Sequence, residues 1–212
     1  MRRILIAVLM MSFCSFCFAD EPATNAVYAN YFADTAGMEL YLRYLGALES
    51  AERVTKPNRT GQYAVKLNFR FSPKAQIGEL FWDLPHVSFN RMRFYVWNPN
   101  PAKLPIRLCV RLVDNHKRGY LLSYFKISTA ADPLPSSVPS AENGGWIRYE
   151  ARLPDNLVAV LPQDEKMPSS AQIRERAFMH LTMSFAGEGN FPAKGQPVIL
   201  FVDGLELYLD PD

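Results

Sequence analysis

The sequence predicts an all-β protein built as an antiparallel sandwich or barrel. Two observations carry this reading. Three segments alternate apolar and polar residues with period two, and clusters of turn-forming residues separate the candidate strands. In residues 64–71 (AVKLNFRF), Leu67, Phe69 and Phe71 oppose Lys66, Asn68 and Arg70. In residues 89–97, Met92, Phe94 and Val96 oppose Arg91, Arg93, Tyr95 and Trp97. In residues 106–113, Ile106, Leu108, Val110 and Leu112 oppose Arg107, Cys109 and Arg111.

The other elements follow from the same signals. Strands are expected at 77–83, 119–127, 146–153, 177–185 and 198–207, with turns at NPNP 98–101, DNHKRG 114–119 and NGG 143–145. Residues 38–48 (MELYLRYLGAL) fit a helix and a strand pair alike. Two longer loops, Ser128 to Gly145 and Pro162 to Ser170, fit either a binding rim or tolerated insertions.

The N-terminus carries an export signature. Arg2 and Arg3 precede an apolar run from Ile4 to Phe18, and Cys17 and Ala19 stand where a cut before Asp20 needs small residues. The run is short for a bilayer span. Residues 1–19 therefore read as a signal peptide and residues 20–212 as one domain, secreted or periplasmic, with no stable membrane insertion after cleavage. The formal charge of +2 comes from Arg2 and Arg3, so the mature chain is neutral and gives no reason to expect nucleic-acid binding. Only Cys109 then remains, and no internal disulfide can form.

Asp203 interrupts the apolar segment VILFVDGLEL (198–207). Strict alternation places it on one side with Ile199, Phe201, Leu205 and Leu207. A buried carboxylate there needs a cation, hydrogen-bond donors or a metal.

Arg70, Arg91, Arg93, Arg107 and Arg111 all project from the non-core side of their strands, with Tyr95 and Trp97 among them. If these strands are neighbours, guanidinium forks and aromatic surfaces share one face suited to an acidic glycan. The alternative is a solvated face whose arginines pair with Asp or Glu. The candidate ligand-binding residues are Arg70, Arg93, Tyr95, Trp97, Arg107 and Arg111. No GxSxG elbow, P-loop, dinucleotide glycine signature or zinc-like histidine spacing occurs. His86, Tyr124 and His180 are the available bases for an eliminating enzyme. Asn58-Arg59-Thr60 is an N-glycosylation sequon.

The order of YFAD (31–34), GQYAVKL (61–67), RFYVWNPN (93–100), VRLVD (110–114), GWIRYEARL (145–153) and LFVDGLELYL (200–209) resembles the carbohydrate-binding modules and related galactose-binding-like domains. The resemblance spans about residues 28–209 and implies a jelly-roll β-sandwich. It also implies that Trp146 packs within the fold, and that a structural calcium is held between Asp34, or Glu49 as a fallback, and Asp203. Two departures bear on that ion: Ala33 and Gly204 stand where the family often has acids. A pair between Asp203 and an arginine, or a turn capped by its side chain, is the other reading. The expected function is a secreted, non-catalytic carbohydrate-binding protein with a polysaccharide or oligosaccharide partner. A polysaccharide lyase or hydrolase on the same scaffold, and a protein-interaction module with a protein partner, are the alternatives.

Overall fold

The computed structural model describes residues 26–30, 43–59, 63–100, 104–127, 145–163 and 165–211. The signal segment, Asp34 and most of the 128–145 loop lie outside the described residues. The strands are β1 (Ala26–Asn30), β2 (Arg43–Gly46), β3 (Leu48–Val54), β4 (Ala64–Phe71), β5 (Ile77–Val87), β6 (Arg91–Trp97) and β7 (Ile106–Asp114). They continue with β8 (Gly119–Leu122), β9 (Phe125–Ile127), β10 (Trp146–Arg152), β11 (Leu157–Leu161), β12 (Phe178–Gly187) and β13 (Gln196–Tyr208). Among the described residues a short helix, α1 (Ser170–Arg174), precedes β12.

Two antiparallel sheets result. The first runs β10-β6-β13-β4-β3, with β1 also paired to β13, and the second runs β11-β8-β7-β12-β5-β2, with β9 paired to β7. The alternating segments behave as their pattern demands. In β4, β6 and β7 the apolar set is buried between the sheets and the polar set faces away. Phe69 stacks on Phe71 and meets Phe185 of the opposite sheet, with ring centroids 5.2 and 5.3 Å apart. Burying each such side chain contributes about 1.5–3 kcal/mol, so a core of this size holds the sandwich without a disulfide.

The ambiguous segment resolves as strand where it is described. The chain changes sheet between β2 and β3, where Ala47 donates its N–H to Ile77 O at 2.8 Å and accepts from Arg70 N–H at 2.8 Å. Gly46 makes the crossing with φ +72°, and a Cβ there would stand 2.1 Å from Ile77 O. The 119–127 segment is two strands rather than one, broken at Ser123 and Tyr124. β11 and α1 were not expected from the sequence. Ser169 begins α1 with a capping box, its hydroxyl accepting from Gln172 N–H while Gln172 Oε1 accepts from Ser169 N–H.

β13 departs from strict alternation. Between Asp203 and Glu206 its register against β6 shifts by a bulge, with Gly204 at φ +59°. The extra residue reverses the parity of everything after it. Val198, Leu200 and Val202 face the core before the bulge, and Leu205 and Leu207 face it afterwards. Asp203 therefore shares the outer face of the first sheet with Ile199 and Phe201, not with Leu205 and Leu207.

Candidate functional site

The expected single arginine face does not exist. β4 and β6 lie in the first sheet, so Arg70, Arg93, Tyr95 and Trp97 face one way. β7 lies in the second sheet, so Arg107 and Arg111 face the opposite way. Period two fixes which side of its own sheet a residue takes; it carries no information on which sheet a strand joins.

On the first sheet the arginines are already matched to acids. Arg70 Nε lies 2.6 Å from Glu49 Oε1, at the end of β4 far from Asp203. Arg91 grips Asp210 with two hydrogen bonds, 2.6 and 2.8 Å long, and lies 3.9 Å over the Tyr208 ring. Arg93 stands 3.5 Å from both Glu150 and Glu206. Burial works against its charge, but Tyr208, Tyr95, Glu206 and Glu150 outweigh that and hold the guanidinium above its ordinary range.

The aromatics of this face are covered as well. Tyr95, Trp146, Phe201 and Ala64 form a second buried cluster, with Val54 and Trp97 packed against it. Trp97 stacks on Phe201 at 5.0 Å. Arg59, from the segment after β3, lies 3.7 Å over the Tyr95 ring and gives its backbone N–H to Asp203 Oδ2 at 2.6 Å. Tyr95 thus cannot offer a ring face to a sugar, and Trp146 is packed within the fold.

Asp203 is buried, as expected, and its Oδ2 has a hydrogen-bond donor as partner. A calcium ion takes six to eight oxygen ligands. Among the described residues no group of three His, Cys, Asp or Glu side chains stands together, and Asp34, the other acid expected at the ion, lies outside the described residues.

The outer face of the second sheet is different. Three adjacent strands, β5, β12 and β7, present rungs of facing side chains. Glu79, Ser184 and Cys109 form one rung; Phe81, Thr182 and Arg111 the next; Asp83, His180 and Val113 the third. A depression of about 310 Å³ opens over the last two, bordered also by Leu45. Thr182 is buried at its floor, between half-buried Phe81 and Arg111. His180 Nδ1 lies 2.7 Å from Asp83 Oδ1, and Ser184 Oγ donates to Glu79 Oε1 at 2.8 Å.

Arg111 differs from the other candidate arginines. Arg107 Nε is 2.6 Å from Glu188, whereas Arg111 makes no ion pair or hydrogen bond among the described residues. Cys109 is half-buried beside it. Burial pushes that thiol up, with Arg111 offsetting part of the effect, which favours its protonated form. His86 and Tyr124 do not line the depression. The sequence marked Arg111 and His180 separately. Phe81, Asp83 and Thr182 went unnoticed, although the alternation of β5 (IGELFWD) already held the first two on one side.

Asp114, at the end of β7, is buried and anchors the adjacent β7–β8 turn. It accepts from His116 N–H, Arg118 N–H, the Tyr120 hydroxyl and Arg176 Nη1 at 2.9–3.0 Å. Burial pushes its carboxyl up, but these four donors outweigh it and hold the group below the ordinary carboxylate value. Burial and the bond to Asp114 push the Tyr120 phenol up, so it stays a donor.

No protein-family model matches the sequence, and no curated protein matches it. Solved structures do match the fold. A family 27 carbohydrate-binding module of Caldicellulosiruptor saccharolyticus, in complex with mannohexaose, is 14% identical with a TM-score of 0.50, covering 79% of this chain and 87% of that one. A family 11 module from Clostridium thermocellum, in complex with a β-1,3-1,4-mixed-linked tetrasaccharide, is 8% identical with a TM-score of 0.53, covering 86% and 95%. The chain has the all-β sandwich fold of carbohydrate-binding modules.

Proposed function

We propose that this is a secreted, non-catalytic carbohydrate-binding protein that lays an acidic polysaccharide across the outer face of its second sheet. One observation carries the reading: Arg111, without an ion pair among the described residues, borders an open depression with Phe81 on its own rung and the His180–Asp83 pair on the next. A guanidinium fork matches a uronate carboxylate with two parallel hydrogen bonds. An aromatic face suits the apolar side of a pyranose ring, and the polar pair suits its hydroxyls. The fold supports the reading, since modules sharing it hold oligosaccharides. The test is retention by polyuronate and by neutral glucan in affinity electrophoresis, parent against Arg111→Ala. Retention by neither polymer would defeat the proposal.

A second reading rests on the same pair. With Asp83 holding Nδ1, the free Nε2 of His180 is disposed to act as a base, and Arg111 to neutralise a uronate during β-elimination. Incubation with a polyuronate under ultraviolet absorbance separates the two, because only elimination creates an unsaturated, absorbing product.

A further inference from the structure

A second depression, about 450 Å³, opens beside the β7–β8 turn. Arg118 comes to it from the turn, Glu165, Lys166 and Met167 from the segment after β11, Gln172 from α1, and Arg176 from the link to β12. Three cations thus meet one carboxylate on this rim. Their positions are set by other parts of the fold. Arg176 donates from Nη1 to buried Asp114 at 3.0 Å and sits 5.3 Å from the Tyr120 ring centroid. Its Nε is buried and has no hydrogen-bond partner among the described residues.

The remaining donors are only partly committed. Arg118 is 3.7 Å from Glu165, too long for a bidentate pair. Lys166 is exposed and makes no ion pair or hydrogen bond among the described residues. Gln172 spends its side-chain oxygen on the Ser169 N–H, which leaves its amide N–H groups for a ligand. Like charges gathered this way repel one another, and an anion between them removes the repulsion.

We infer that this depression is an oxyanion site, taking a sulfate, phosphate or carboxylate group either free or carried on a larger molecule. Arg118, Lys166 and Gln172 supply the donors, Arg176, its charge balanced by Asp114, adds its unmatched Nε, and Glu165 weakens the site. The site stands apart from Arg111 and does not depend on the glycan reading.

The experiment is a thermal-shift titration of the mature protein with sodium sulfate against sodium chloride at equal ionic strength. A sulfated oligosaccharide and its desulfated form serve as further probes. Sulfate is expected to raise Tm where chloride does not. Arg118→Gln/Lys166→Gln should weaken the response roughly tenfold, the loss expected for about 1.4 kcal/mol of binding. Glu165→Gln should strengthen it, an effect opposite to that of losing a structural ion pair. Arg111→Ala should leave it unchanged. Tighter binding of the sulfated oligosaccharide than of inorganic sulfate identifies a carried group; equal binding identifies the free ion. A sulfate response no larger than chloride's, or one that survives the double substitution unchanged, overturns the inference.

Discussion

The backbone N–H of Arg59 donates to Asp203 Oδ2 at 2.6 Å, joining residues 144 positions apart. Through this bond the acid that interrupts the last strand holds the segment after β3 against the first sheet, and the Arg59 side chain closes over Tyr95. Asp203 thus anchors this segment, with the Arg59 amide among its partners.

Removing that acceptor should therefore cost stability. Asp203→Ala leaves a partly buried N–H unmatched, and the loss expected is about 1–3 kcal/mol by urea unfolding. Asp203→Asn keeps an acceptor and should lose less. If the amide is its sufficient partner, chelator leaves Tm unchanged; a fall of several degrees on adding EDTA would restore the calcium expected from Asp34 and Asp203.

The bulge that turns Leu205 and Leu207 into the core after Asp203 depends on Gly204. A side chain at φ +59° costs about 1–2 kcal/mol, so Gly204→Ala should lower stability by that amount. Urea unfolding measures it. A neutral substitution would mean that the bulge tolerates any residue.

Asp114 makes stability depend on acid. Its folded pKa lies below the ordinary 3.8. Its contribution is thus complete above that value and is lost as pH falls through the folded pKa. Unfolding free energy measured from pH 6 downward should drop below about pH 4, and Asp114→Asn should flatten that part of the profile. Tyr120→Phe removes one hydrogen bond to the charged group and should cost about 1.5–3 kcal/mol at neutral pH.

Much of the fold could be read from residues. Alternation in 64–71 and 106–113 set those strands within one residue, because one face of each meets the core and the other does not. Alternation failed at Asp203, where one glycine in a left-handed conformation inverted the pattern. It also could not assign strands to sheets, which split Arg93 from Arg111. The depression escaped for a related reason: its rungs come from β5, β7 and β12, far apart in the chain and joined only by hydrogen-bond register.

The same split sharpens what the arginines do. Arg93 serves Glu150 and Glu206, so Arg93→Ala should lower stability and leave polysaccharide retention intact. Electrophoresis of that variant through polyuronate gels, beside its urea unfolding curve, checks both halves.

The most direct measurement is affinity electrophoresis of the parent, Arg93→Ala and Arg111→Ala through gels containing polyuronate or neutral glucan. The expected result is polyuronate retention that Arg93→Ala keeps and Arg111→Ala loses, with weaker retention by glucan. Equal retention of parent and Arg111→Ala, or retention by neither polymer, would contradict a glycan site on the second sheet.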